Sequence, residues 1–333
     1  MTRFIGRWRV KQDAIQFKLV TTPGASSYPS AYWGGAIVRN LHRVQGHRNV
    51  RRGRGWHLAV LALALLAAGC ATATNYLDPS GPIYVDHYAG MDSAAANRLR
   101  SEGPVRVVSF NIAFSVHIDR ALEVLRESEE LRDFDVLTLQ EMDAPGVERI
   151  ARELGLHYVY FPSGIHPKKD RDFGCAILSP WPLEDPRKIV LPHGARGSGL
   201  RRAAVVATVI RGAERFRCYT VHLPAPFSVS GSSRREQAQV MIADAATSPD
   251  PVIVTGDLNS YDIGHEFANA GFNWLTRDTG ATVSRFLLRF RYDHVFAKGV
   301  SGAPPRATAG VVKDNRAASD HKAVWASINF EAR

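Results

Sequence analysis

Cysteine is scarce in this chain, with three in 333 residues. No Cys/His cluster has zinc-like spacing, which excludes a tetrahedral zinc centre. A Gly-x-Ser-x-Gly elbow is also missing, which removes the signature of one large class of serine hydrolase. Internal repeats and low-complexity segments are absent. The apolar run Leu58 to Ala68 falls short of the ~20 residues that a spanning helix needs. The formal charge of +10 suggests a nucleic-acid binder until it is placed along the chain. Residues 1–70 hold eleven of the 42 Lys/Arg and one of the 32 Asp/Glu, which leaves 31 of each beyond position 70. Bulk charge is therefore no evidence for a nucleic-acid partner.

What is present begins with the source of that excess. Arg51-Arg52-Gly53-Arg54 is a basic segment ahead of the apolar run, which ends in Leu66-Ala67-Ala68-Gly69-Cys70. This resembles a bacterial lipoprotein signal (residues 50–70), cleaved before a cysteine that becomes lipidated, although Leu is commoner than Ala67 at its position. The resemblance implies export and a lipid anchor at Cys70 in the cell envelope. Residues 1–49 then read as a non-native or disordered extension, with the true start near Val50. Residues 71–103 are turn-rich and read as a tether and edge segment. Cys175 and Cys218 sit in apolar runs; a disulfide is open to an exported protein, but two free core thiols are expected.

The organising stretch is Pro251 to Ser260. Val252 to Val254 is a short β-branched run that reads as a buried strand, broken at Gly256. Asp257 and Asn259 follow, and both are costly to place in a core unless they point into a site. Further strands are expected at Val105–Phe110, Val136–Leu139, Tyr158–Phe161, Cys175–Leu178, Ala203–Ile210, Phe216–Val221, Tyr292–Ala297 and Ala323–Ile328. Helical spacing appears at Ile118, Ala121, Leu122 and Leu125, at Val147 to Leu154, and at Arg234 to Ala246. Consecutive strands are often hairpin-linked, so the class is α+β, a layered sandwich over residues 104–330 rather than a doubly wound sheet.

Polar residues stand at or just past the ends of these strands: Asn111, Glu141, His222, Asp257, Asn259, Asp293 and Asp320-His321. Each alone has an ordinary explanation as a turn, cap or solvated residue. Together they are several strands delivering acids, amides and imidazoles at equivalent positions. Glu141 and Asp320 suit a hard, oxygen-liganded divalent cation. His294 falls on the alternate face of its strand, and Trp181 and Trp274 read as packing.

Ser109-Phe110-Asn111-Ile112, Leu139-Gln140-Glu141, Val221-His222-Leu223, Gly256-Asp257-Leu258-Asn259, Tyr292-Asp293-His294-Val295-Phe296 and Ser319-Asp320-His321 resemble, in order, the motifs of the endonuclease/exonuclease/phosphatase superfamily. Phe173 to Ser179 resembles a further family strand, in which Asn is commoner than Cys175. The resemblance implies a four-layer α/β/β/α sandwich of DNase I-like type with the site at one end of its sheets. It implies Mg2+ or Mn2+ as cofactor, ligated by Glu141 with Asn111 nearby and Asp320 contributing. It further implies Asp257 as the group that activates water, Asn259 on a phosphoryl oxygen, Asp293 paired with His321, and His222 as a second donor.

Those parts suit phosphoryl transfer, which needs an in-line nucleophile and neutralisation of charge on the phosphoryl oxygens. Arg201 and Arg202, ahead of one strand, are candidates for substrate phosphate. The expected activity is a phosphodiesterase or nuclease. The alternatives are a sphingomyelinase- or inositol-phosphatase-like enzyme, or a non-catalytic binding module on the same scaffold. The partners expected are therefore a nucleic acid, a phospholipid head group or an inositol phosphate, and the membrane through Cys70, with no protein partner. No long apolar insertion for a lipid surface is evident.

Overall fold

The computed structural model describes residues 72–87, 103–285, 287–300 and 308–330. The expected N-terminal extension, the signal segment, Cys70 and part of the tether lie outside the described residues.

Strands β1 (Thr74–Asn75), β2 (Tyr84–His87) and β3 (Val105–Asn111) are followed by helix α1 (Ile118–Glu127), β4 (Val136–Met142) and α2 (Ala144–Leu154). Five strands then run without a helix: β5 (His157–His166), β6 (Arg171–Ser179), β7 (Leu183–Val190), β8 (Ala203–Arg211) and β9 (Glu214–His222). Helix α3 (Gly231–Ala245) leads to β10 (Val252–Asp257), α4 (Gly264–Asn269) and β11 (Asn273–Trp274). The hairpin β12 (Val283–Arg285) and β13 (Leu288–Phe290) precedes β14 (Asp293–Lys298), β15 (Ala309–Val311) and β16 (Val324–Ile328).

Local chemistry sets the helix ends. Asp143 caps α2 by accepting from the Gly146 amide, and Gly155 closes it in the left-handed conformation. Helix α1 carries Asp119 in its first turn and Arg126 in its last, both favourable to the helix dipole.

One sheet has the order β1-β5-β6-β4-β3-β16-β15, with β2 also on β5; the other runs β11-β14-β10-β9-β8-β7. Within these sheets β3 pairs with β4, and β9 with β10, in parallel; each parallel pair is joined through a helix, α1 and α3 respectively. Alternation along the strands then divides the apolar side chains into three slabs. Leu137, Leu139, Val108 and Phe110 pack outward against α1 and α2. Val107, Val136 and Ile177 meet Val205, Cys218, Ile253 and Val295 between the sheets. Tyr219, Val221, Val254 and Phe296 pack against Ala238, Met241 and Phe267 of α3 and α4. The layers are therefore helix, sheet, sheet, helix. Both Cys175 and Cys218 are buried free thiols in the middle slab.

Several elements differ from the sequence expectation. Strand β10 continues through Gly256, where φ is 134° and a Cβ would lie 2.0 Å from the Val221 carbonyl. Glycine is there because the neighbouring strand comes close, not because the strand stops. Strand β7 contains Pro186 and only one buried residue, which an edge strand tolerates. Helix α4 and the hairpin β12–β13 are short elements without a full period of apolar residues.

Candidate active site

The middle slab changes character along its strands. On β10, Ile253 lies in the apolar slab, Thr255 comes next on the same face, and then Asp257. On β9 the series is Cys218, Thr220, His222, and on β3 it is Val107, Ser109, Asn111. The middle members form a buried hydroxyl and amide layer. Gln140 donates to Ser109 Oγ at 3.1 Å and Thr220 Oγ1 at 2.9 Å, and Thr255 Oγ1 lies 2.8 Å from Thr138 Oγ1. Beyond that layer the polar strand ends converge.

Asp257 is the centre. It pairs across the sheet with His222 of β9 on one side and Asp293 of β14 on the other. Asp257 Oδ1 accepts the Asn259 amide at 2.8 Å, and Oδ2 accepts Asn111 Nδ2 at 3.1 Å. His321 Nε2 lies 3.6 Å from Oδ2, while Nδ1 bonds Asp293 Oδ2 at 2.8 Å. Burial pushes the Asp257 carboxyl up to about 7, against the opposing pull of His321. For His321, burial disfavours the charge, but Asp293 and Asp257 outweigh it and hold the imidazole protonated, up to about 10.

His222 is the opposite case. Burial, Arg202 and His321 together push it well below its ordinary value, so the ring is neutral. Asn259 Nδ2 donates to the Leu223 carbonyl at 3.0 Å, which fixes the amide and aims its nitrogen at His222 Nε2, also 3.0 Å away. A neutral ring that accepts at Nε2 carries its proton at Nδ1. Of the two roles expected for His222, donating a hydrogen bond or a proton, the neutral ring fits the hydrogen bond, through Nδ1–H. Asn259 is likewise engaged within the cluster, with Asp257 Oδ2 also at 3.3 Å, rather than presenting its amide nitrogen outward.

Glu141 reaches this place through a bulge. Simple alternation would put it beside Leu137 and Leu139, under the helices. The β4–β6 register shifts between Leu139 and Met142, and Glu141 adopts φ 58°, so Met142 takes the helix-facing place instead. Glu141 is then 3.4 Å from Asn111 Nδ2 and 3.8 Å from His222 Nδ1. Burial raises its pKa, with Arg202 opposing and Asp320 adding to the rise. A half-buried carboxylate, its side chain 15% exposed, with one long hydrogen bond has unmet demand for positive charge. The Asp320 charge acts on Glu141, and two carboxylates are an all-oxygen donor set of the kind a small hard divalent cation takes.

Asp257, Asp293 and His321 also lie close enough together to resemble a metal cluster. His321 argues against that use, because a protonated imidazole offers no lone pair. Asn111 Oδ1 accepts the Ala113 amide at 3.0 Å, and its NH2 clamps two carboxylates. Asp320 stands at the rim, with its side chain 53% exposed and 3.5 Å from Arg285.

The two arginines separate. Arg201 bonds the Leu191 carbonyl through Nε at 3.0 Å and Nη2 at 2.8 Å, and is not brought to the cluster. Arg202 is buried, its guanidinium 4.6 Å from the Phe173 ring centre, with Nη1 3.5 Å from His222 Nδ1. Its Nε has no protein partner. Gln140, Phe173 and Thr282 support the cluster without having been singled out in the sequence. Thr282 Oγ1 accepts the Tyr292 and Asp293 amides at 3.1 and 3.3 Å. Gln140 was legible as a polar residue on a strand's inner face; Thr282 carries no such signal.

The sequence profile of the Endonuclease/Exonuclease/phosphatase family matches residues 108–321, which spans every element of this cluster. The chain belongs to that family. Its members are generally divalent-metal-dependent phosphoesterases. Solved structures share the fold. An endonuclease/exonuclease/phosphatase from Beutenbergia cavernae is 22% identical, covering 69% of this chain and 72% of its own, with a TM-score of 0.53. D. rerio TDP2, complexed with a single-strand DNA product, is 18% identical over 68% of this chain and 100% of its own, with a TM-score of 0.53. A family protein from Bacteroides thetaiotaomicron is 16% identical over 69% and 100%, with a TM-score of 0.53. No curated protein sequence matches the chain.

Proposed function

We propose that this protein hydrolyses phosphodiesters with Mg2+ or Mn2+ as cofactor, by in-line attack of a water that Asp257 activates. The observation that carries the reading is the row formed by Asp257, His321 and Asp293. A carboxyl pushed up to about 7 is matched to taking a proton near neutral pH. Asn111, with its NH2 fixed by the Ala113 contact, orients that carboxylate toward the space between the sheets.

His321 keeps its proton beside Asp257 and supplies positive charge where phosphoryl oxygens gain negative charge. Asp293 fixes the ring through Nδ1, leaving Nε2–H directed at the reacting region. Arg202, whose Nε has no protein partner, adds a second positive group beside Glu141. A divalent cation held by Glu141 and Asp320 would supply Lewis-acid neutralisation of the phosphate. His222 and Asn259 hold Asp257 in place from the other side.

The likeness to a protein solved with a DNA product supports including nucleic acid among the substrates tested. The test is hydrolysis of bis-p-nitrophenyl phosphate, single-stranded DNA, sphingomyelin and an inositol polyphosphate with Mg2+ or Mn2+. Turnover should vanish with chelator and in Asp257→Ala and His321→Ala. Turnover that survives chelation and both substitutions sinks the reading.

We also propose export and lipidation at Cys70. Palmitate labelling in a bacterial host should be lost in Cys70→Ser; labelling that persists contradicts it.

A further inference from the structure

The hairpin β12–β13 is rooted in the site. Val283 is buried and bridges to His321, Thr282 accepts the amide of Asp293, and Arg285 stands 3.5 Å from Asp320. The tip is the reverse. Leu287 is 98% exposed and Leu288 62% exposed. Phe227, 90% exposed, projects from the loop that leaves β9 just after His222. Single exposed apolar residues need no explanation. Here the most exposed ones among the described residues belong to the two segments that adjoin strands β9 and β14 at the site.

Charge within the hairpin segment itself has one sign. Residues 279–292 contain three arginines (285, 289 and 291) and no Asp or Glu. Arg285 and Arg289 are exposed. Across the hairpin Arg285 pairs with Leu288, so a cation and an apolar side chain share one face. A projecting tip with leucines at its apex and arginines behind them has the chemistry of an interfacial element: the apolar part enters the acyl boundary and the guanidiniums stay with phosphate headgroups.

We propose that the tip of β12–β13, together with Phe227, inserts into the surface of an anionic phospholipid bilayer and holds the mouth of the site at headgroup level. The insertion does not depend on the reaction, but its meaning for substrate choice rests on the phosphoesterase reading. It favours phosphoesters presented at a membrane over those free in solution.

The test uses the full chain in a Cys70→Ser background, so that no lipid anchor contributes. A polarity-sensitive fluorophore is placed at Leu287→Cys, with Arg132→Cys, an exposed site just before β4, as the control. Vesicles of phosphatidylglycerol and phosphatidylcholine should shift the emission at 287 to the blue and leave that at 132 unchanged. Adding Leu288→Ser and Phe227→Ser should weaken vesicle partition by about tenfold or more. Arg289→Gln should weaken it less, and the loss should shrink in high salt. No shift at 287 while the chain sediments with vesicles overturns the inference. So does an equal shift on phosphatidylcholine alone, or a shift that grows with protein concentration without lipid, which would assign the tip to a second copy.

Adding Asp257→Ala to the labelled chain separates the two readings, because the shift should persist when turnover is lost. A shift without any hydrolysis in the parent would count against the phosphoesterase reading and leave the insertion standing.

Discussion

The two ends of the slab between the sheets are built from the same strands and differ in almost everything else. At one end Val107, Cys218, Ile253 and Val295 close a dry core. At the other, two to four residues along on the same faces, stand Asn111, His222, Asp257 and Asp293. Burial is nearly as complete at both: Ile253 is 0% and Asp257 1% exposed. At the apolar end that burial is a source of stability. At the polar end it raises the Asp257 carboxyl and neutralises His222, while Asp293 and Asp257 hold His321 charged against it. The layer of Thr138, Thr220 and Thr255 with Gln140 is the joint between them, tied together by hydroxyl and amide hydrogen bonds.

The comparison can be broken most sharply at the bulge. Glu141→Gln should reduce hydrolysis on the order of 10² to 10³-fold and raise the Mg2+ concentration needed for half-activity. Its melting temperature should hardly move. A large drop in stability with unchanged metal response would place Glu141 among the structural residues. At the other end Ile253→Ala should cost about 2–5 kcal/mol in urea unfolding, while the folded fraction keeps its turnover per molecule.

Away from the slab, Asp244 provides an electrostatic contrast. Arg187 donates to both its oxygens at 2.7 and 2.6 Å, and Tyr219 OH donates at 2.7 Å. Burial raises its pKa, but those bonds outweigh burial and hold the carboxyl below its ordinary value. Its contribution is therefore present above pH ~4 and fades as pH falls through the depressed value. Asp244→Asn should cost about 1–2 kcal/mol at pH 7, and the gap from the parent should close as pH falls below the depressed carboxyl value. A gap that stays constant with pH would mean the clamp acts by shape alone. The smallest effect is expected at the joint: Thr255→Val should cost about 1 kcal/mol, with turnover within a few-fold of the parent. A larger loss of turnover than of stability would extend the site into the hydroxyl layer.

Much of this was legible in the residues. Strands β3, β4, β8, β9, β10 and β14 are β-branched or apolar runs, and their polar ends follow directly. The order of those ends also carried the family resemblance. Direction was less legible. Alternation puts Glu141 with Leu137 and Leu139, and only the bulge turns it into the site. Arg201 and Arg202 are adjacent and chemically alike, yet one is held on the Leu191 carbonyl and the other stacks over Phe173. The amides of Asn111 and Asn259 are expected near metal and phosphate; that both also clamp Asp257 and its neighbours was not legible. The hairpin β12–β13 left no periodic signal, because its apolar tip faces solvent rather than a core.

One measurement tests the central claim most directly, that burial at the polar end serves chemistry at the expense of stability. Asp257→Asn keeps the shape and removes the buried charge. Thermal melting and hydrolysis of bis-p-nitrophenyl phosphate would be followed on the same preparation with Mg2+. The account predicts a melting temperature equal to or above the parent, and turnover lower by about 10² to 10⁴-fold. A melting temperature that falls while turnover survives in the folded protein would contradict it, and would make Asp257 a structural partner of Asn111 and His321.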